Sequence, residues 1–204
     1  MEKTRILVVF YSMTGNTAKL AKAVAEGAEK TGAEVRLKQV EELIPENKFN
    51  DVMKKVKEEL KYIPIATNDD LEWADGVAFG TPTRFGNMSA QLKQFIDQTG
   101  GLWMKGALIN KVATMFTSVS TQHGGHETTI TTGIIPLLHQ GMLIIGVPYS
   151  EQRLMQIDEI SGGSPYGASS VSGPAGDREP TENDLEIAKT QGKRLAGISE
   201  KLKK

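Results

Sequence analysis

The sequence predicts an α/β domain of three layers: a parallel β-sheet between two layers of helices. Three observations predict it. Short apolar runs alternate with longer helical stretches along most of the chain, in the order β-α-β-α-β-α-β-α-β-α. The first run, residues 4–11 (TRILVVFY), is continuous and rich in Val and Ile, as in a strand covered on both faces. A turn rich in hydroxyls, residues 12–17 (SMTGNT), then leads straight into an Ala-rich helix.

Residues 17–31 read as that helix. Leu20, Val24 and Ala28 recur at spacing four, Gly32 is a natural C-cap, and the small alanines allow close approach to a sheet. Residues 33–40 (AEVRLKQV) alternate and predict a strand nearer an edge. Residues 41–70 are polar, with one helical patch over 48–60. Residues 75–82 (DGVAFGTP) predict a third strand stopped by Pro82, 88–98 a helix, 111–118 (KVATMFTS) a fourth strand, 127–141 a helix and 142–148 (MLIIGVP) a fifth strand. Residues 149–180 hold many of the Gly, Pro and Ser residues and no apolar periodicity. They are expected to form a long surface excursion, not a second domain. Thr181 then caps a last helix, with Asp184 at the capping-box position and Leu185, Ala188, Leu195 and Leu202 marking its apolar face. The expectation is a single domain over residues 1–204.

Five strands fit the flavodoxin-like order 2-1-3-4-5. Ligands in such sheets bind beyond the carboxyl ends of the strands, near the switch point between the first and third. Composition narrows the chemistry. There is no cysteine among 204 residues, which excludes disulfides, thiol catalysis and Cys-based metal sites. The net charge is −1 with mixed signs, which gives no electrostatic surface for nucleic acid. No apolar run approaches the ~18 residues of a membrane span, and the N-terminal run is too short for a signal peptide. A cytoplasmic protein without membrane insertion is expected.

The loops after strands 1, 3 and 4 carry the functional signal. Ser12, Met13, Thr14, Gly15, Asn16 and Thr17 place hydroxyls and free backbone N–H groups at a helix N-terminus, a site for an anion. The loop has no lysine, and neither GxxxxGK[ST] nor GxGxxG occurs, so a single terminal monophosphate suits it better than a triphosphate. After the third strand, Thr83, Arg84 and Phe85 combine a hydroxyl, a cation and an aromatic between Pro82 and Gly86, parts suited to a planar ring system. After the fourth, Ser118, Val119, Ser120, Thr121, Gln122, His123 and Gly124 form a Ser/Thr/Gly cradle. His123, His126 and Glu127 lack third and fourth partners at metal-ligand spacing, and no metal is expected. A flat heterocycle on a monophosphate tail describes FMN.

The stretches YSMTGNT, GTPTRFGNMSAQLKQFIDQTGGLW, HQGM and GGSPYGASSVSG together resemble the WrbA-type NAD(P)H:quinone oxidoreductases, the type IV flavodoxin-like quinone reductases, over nearly the whole chain. The resemblance implies FMN as cofactor, NADH or NADPH as hydride donor, two-electron ping-pong reduction of quinones and a homotetramer. It also implies that residues 12–17 hold the FMN phosphate, that Thr83, Arg84 and Phe85 meet the ring and ribityl region, and that residues 118–124 complete the cradle. His139 matches a position that contacts FMN from a neighbouring subunit, and it is the candidate to orient substrate or supply a proton. Thr14 matches the nicotinamide-nucleotide position and Trp103 the quinone position. Relatives often carry an aromatic where this chain has Thr14, and the cradle SVSTQHGG departs from the commoner Gly-rich form. The alternatives are a flavodoxin-like electron carrier and a flavin-containing regulatory or scaffold protein without enzymatic activity.

Overall fold

A computed structural model describes residues 2–203. Its central sheet is parallel, in the order β2-β1-β3-β4-β5. The strands are β1 (Arg5–Phe10), β2 (Glu34–Gln39), β3 (Gly76–Pro82), β4 (Val112–Val119) and β5 (Leu143–Ile144), with a sixth, β6 (Ser169–Val171), pairing with β4. The flavodoxin-like order read from the sequence is therefore present. Side chains of β1 alternate between two cores, as the two-residue repeat of a strand requires. Ile6, Val8 and Phe10 face α1 (Asn16–Glu29) and α7 (Glu182–Leu202), whereas Leu7, Val9 and Tyr11 face α4 (Ala90–Asp97) and α6 (His126–His139).

Two glycines set how closely α1 and α7 pack. A methyl added at Gly192 would lie 1.9 Å from Val24 O, and one at Gly27 would lie 2.0 Å from Lys189 O. Thr181 and Asp184 form the expected capping box at the start of α7. Ala188 and Leu195 are buried as expected, but Leu202 at the end of the helix is exposed, and Ile187 is an additional buried position.

Two sequence expectations need correction. The polar stretch 41–70 contains α2 (Asp51–Leu60), as expected, but also α3 (Asn68–Trp73), which starts at a Thr67/Asp70 capping box. The glycine-bearing stretch after α4 forms a short helix, α5 (Gly100–Lys105).

The largest difference concerns the fifth strand and the excursion. Only Leu143 and Ile144 pair with β4, opposite Val112 and Ala113, while β6 pairs with Thr117–Val119 at the other end of β4. The fifth position in the sheet is thus shared by two segments, and the intervening chain is partly interior. Small residues make this possible. A Cβ at Gly167 would lie 2.1 Å from Met115 O, and one at Gly146 would lie 1.9 Å from Pro165 O. The buried serines of β6 are paired: Ser170 Oγ donates to Ser118 Oγ at 3.0 Å, and Ser169 Oγ accepts from Gly163 N–H at 2.8 Å. Two buried α7 side chains hold the segment down. Asp184 Oδ1 accepts from Gly162 N–H at 2.7 Å, and Gln191 Oε1 from Ala168 N–H at 2.8 Å.

Candidate functional site

The carboxyl ends of β1, β3, β4 and β6 surround one cleft of about 170 Å³. Met13, Thr14 and Thr17 line it from the first loop, Pro82, Thr83 and Arg84 from the second, and Ser118, Val119 and Ser120 from the third. Ser172, Pro174, Ala175 and Gly176 supply a fourth wall that the sequence reading missed. Among the described residues, no acidic side chain lines the cleft.

The first loop is built to present donors. Gly15 precedes α1 with φ +97°, a conformation that glycine adopts without steric penalty. Ser12 is buried beneath the loop, and its Oγ accepts from Gly15 N–H and from Ala18 N–H, each at 3.2 Å. The Ser12 hydroxyl hydrogen remains available to donate. As the first two residues of α1, Asn16 and Thr17 have backbone N–H groups with no partner in the preceding turn. The Asn16 side chain is buried, and its Oδ1 has no donor among the described residues.

Behind this loop stands a polar hub. The Tyr11 hydroxyl donates to Glu42 at 3.0 Å, Gln91 Nε2 donates to it at 2.9 Å, and Lys57 Nζ lies 2.6 Å away. Burial alone would raise the Glu42 carboxyl, but bonds from Lys57, the Ile44 N–H and Gln91 outweigh it and hold the group below its usual range. Burial first, then the charge of Glu42, pushes the Tyr11 phenol well up. The hub ties the last turn of β1's path to α2 and α4, one residue before Ser12. Tyr11 opens the YSMTGNT stretch without a role of its own there, and Glu42 carries no motif that would have marked it.

The second loop makes a tight turn, with Arg84 N–H donating to Asn87 O at 2.7 Å and Asn87 N–H to Arg84 O at 3.0 Å. Phe85 (φ +52°) and Gly86 (φ +77°) form its tip. Phe85 is fully exposed, so this strained position of a bulky residue is not compensated by packing within the chain. Arg84 leans back over the cleft: Nη1 donates to Thr83 O at 2.8 Å and Nη2 lies 3.5 Å from Met13 Sδ. Its charge is therefore not spent on a carboxylate.

In the third loop, Ser118 and Val119 are buried and Ser120 reaches the rim. Thr121, Gln122, His123 and Gly124 are exposed and, like Phe85, stand outside the cleft lining. The reason is a turn in which Gly124 N–H donates to Thr121 O at 3.1 Å, lifting these residues away before α6 begins. His126, first in α6, is buried, with Nδ1 2.7 Å from Ser169 Oγ. Burial depresses its pKa below the ordinary value of 6.5, so the neutral ring is favoured.

His139 and Trp103 are brought together, but not at this cleft. They line a second, open groove between α5 and the end of α6, with Thr99, Ile135 and Gln140. That side of the chain exposes Trp103 at 59%, Met104 at 82%, Ile135 at 53% and Leu138 at 55%. Within one chain, then, His139 does not complete the cofactor cleft.

The donor set fits FMN. Free N–H groups at a helix N-terminus with Ser and Thr hydroxyls suit a phosphate, and the orphaned Asn16 Oδ1 suits a hydroxyl-bearing tail. The cleft, about 170 Å³, is smaller than the ~300 Å³ lower bound for a drug-sized ligand, with Arg84 at its lining and the exposed Phe85 on the same loop.

The fold and the cleft define a flavodoxin-like domain made to hold a phosphorylated planar cofactor at its switch point. Comparison with known proteins agrees. Residues 4–150 match the family described as NADPH-dependent FMN reductase. The chain is 50% identical over 200 residues to an NAD(P)H dehydrogenase (quinone) of Aromatoleum aromaticum, covering 97% of each. It is 52% identical over 204 residues to another of that name from Geotalea daltonii, covering 97% of this chain and 98% of that one. Among solved structures it is similar to a WrbA-like flavodoxin from Agrobacterium tumefaciens (TM-score 0.67, 25% identity, covering 98% and 100% of the two chains). The chain belongs to the FMN reductase family, within its WrbA-type NAD(P)H:quinone oxidoreductase branch.

Proposed function

We propose that this protein is an FMN-dependent NAD(P)H:quinone oxidoreductase. The observation that carries the proposal is the cleft itself: a carboxylate-free, donor-rich helix N-terminus with an uncommitted arginine beside it. When bound, FMN supplies the redox chemistry, taking a hydride from NADH or NADPH and passing two electrons to a quinone.

The chain's residues do the rest. Ser12, Met13, Thr14, Gly15, Asn16 and Thr17 bind the phosphate tail through backbone N–H groups and hydroxyls. Arg84 places positive charge at the ring end, where negative charge develops on reduction. Phe85 offers an apolar face at the mouth, and Thr14 faces the same opening for the nicotinamide nucleotide. Ser118, Val119 and Ser120 close the opposite side.

The groove holding Trp103 and His139 is proposed to close on a second copy of the chain in a homotetramer. The exposed Met104, Ile135 and Leu138 around it form an apolar face. Closure would bring Trp103 to the quinone and His139 to the flavin of a neighbour, where His139 orients substrate or delivers a proton. No helix among the described residues is long and apolar enough to cross a membrane, and a cytoplasmic enzyme is proposed.

The test is purification with added FMN and assay of NADH or NADPH oxidation by benzoquinone, with mass measured in solution. Parallel double-reciprocal lines are expected, because both substrates use one site in turn. Intersecting lines would contradict a shared site. Leu138→Glu is expected to lower the oligomeric state and to weaken FMN binding together. Loss of assembly with unaltered FMN affinity would remove the neighbour's role.

A further inference from the structure

We propose that the segment after β6, residues 172–179, makes the cleft specific for a flavin that ends in a monophosphate, and that it excludes flavins whose phosphate carries a further nucleotide, such as FAD. The proposal rests on the FMN reading above and names a determinant of which flavin is accepted.

The segment lies across the phosphate loop and is fixed at both ends. At its start, Ser172 N–H donates to Val119 O at 2.7 Å, and Ser172 Oγ donates to the same oxygen at 3.1 Å. At its far end, Asn16 Nδ2 donates to Gly176 O at 3.4 Å, and Glu179 forms an ion pair with Lys19 of α1. The piece between is a closed turn: Gly176 N–H donates to Gly173 O at 3.1 Å, around Pro174, whose φ is fixed by its ring. The strap approaches the phosphate loop so closely that a Cβ at Gly176 would lie 3.2 Å from Thr14 Cγ2, and Gly176 itself has φ +73°.

The chemical consequence concerns the terminal phosphate. A monophosphate ester ends at its free oxygens, which the N–H groups of Asn16 and Thr17 and the hydroxyls of Ser12 and Thr17 receive. In FAD one of those oxygens is bonded onward to a second phosphate and adenosine. That continuation has to leave the cleft next to the phosphate loop, where Thr14 and Gly176 close on each other. The cleft, about 170 Å³ with four loops around it, has no second room for it. A dinucleotide flavin binds only by displacing the strap from Val119, Asn16 and Lys19, and loses those contacts in doing so.

The structure also supplies a clean variant. Arg178 N–H donates to Ser172 O at 2.9 Å, so the two ends of the strap are already adjacent. Replacing residues 173–177 by Gly-Gly leaves Ser172 and Arg178 as the first and last residues of an ordinary four-residue turn with that hydrogen bond intact.

The experiment is titration of the apoprotein with FMN, FAD and riboflavin, followed by flavin fluorescence, with circular dichroism to check the fold. The native chain is expected to prefer FMN over FAD by roughly 100-fold, and the shortened variant to reduce that preference by about tenfold or more. Where the shortened chain does not fold, Glu179→Lys decides. It is expected to speed FMN release about threefold or more, and the swapped pair Lys19→Glu/Glu179→Lys to restore slow release. Equal native affinities for FMN and FAD, an unchanged preference in a folded shortened variant, or an unchanged release rate in Glu179→Lys would overturn the proposal. Absence of FMN binding by the native protein would instead overturn the functional reading beneath it.

Discussion

Replacing Ser12 by Ala removes one oxygen that two backbone donors share. In the native chain Ser12 Oγ accepts from Gly15 N–H and Ala18 N–H at 3.2 Å each, and the residue is buried. The bond satisfies the Ala18 N–H in the first turn of α1 from a residue outside the helix, whose N-cap is Gly15, and a bond of this kind contributes about 1 kcal/mol. The Gly15 N–H loses its partner too, and an unsatisfied buried donor costs roughly 1–3 kcal/mol, less where water or a ligand reaches it. Ser12→Ala is therefore expected to lower the stability of the apoprotein by about 2 kcal/mol. The loop that presents Asn16 and Thr17 also loses its anchor, and the hydroxyl proposed to donate to the phosphate is removed. FMN affinity should fall about tenfold or more, because one lost charge-assisted bond alone approaches that size. Urea unfolding of the apoprotein measures the first effect and fluorescence titration with FMN the second. An FMN dissociation constant within about twofold of the native value would refute the assignment of this loop to the phosphate.

Three further outcomes follow from the geometry. His126→Gln should flatten the pH dependence of stability in mild acid. Because burial depresses the folded-state pKa below 6.5, the unfolded chain binds the extra proton first, so the native contribution is full above about 6.5 and is lost as pH falls through the folded value; an identical slope in thermal melts of the two proteins between neutral and mildly acidic pH would contradict this. Gly192→Ala drives a methyl to 1.9 Å from Val24 O between α1 and α7, and an overpacked, immovable backbone contact of this kind should cost about 3 kcal/mol in denaturant unfolding, against a gain of roughly 0.5–1 kcal/mol for Gly197→Ala in the same helix, where nothing lies within 4 Å. Phe85→Ala should leave apoprotein stability within about 0.5 kcal/mol, since the ring touches no core, while altering the Michaelis constant for quinone; a large stability loss with unaltered quinone kinetics would assign Phe85 to structure instead.

Much of the fold was legible because its strands are buried on both faces. The β1 run is continuous and apolar, β4 is wholly buried although it carries Thr114, Thr117 and Ser118, and the Thr181/Asp184 box is a local signal that needs no tertiary context, whereas α1 ends at Glu29 with Lys30 as its C-cap, two residues before the expected Gly32. β6 was illegible for the opposite reason. Its residues are Ser169, Ser170 and Val171, and its burial depends on partners far away in sequence: Ser118, His126 and Gln191. The fourth wall of the cleft went unseen with it. Trp103 and His139 show another limit. The resemblance names them, and the chain places both on one groove away from the cleft, so the part proposed for them depends on a second copy that one sequence cannot display. Thr121 through Gly124 read as cradle by composition, and the Thr121–Gly124 turn that places them outside the cleft lining has no local sequence signal.

The central claim is tested most directly by one reconstitution. Apoprotein is titrated with FMN while oxidation of NADH or NADPH by benzoquinone is followed. Turnover is expected to be absent without FMN and to rise in step with bound FMN to a plateau at one flavin per chain. Saturating FMN binding with no quinone-dependent oxidation of either nucleotide would contradict the assignment as a quinone reductase and leave a flavin carrier in its place.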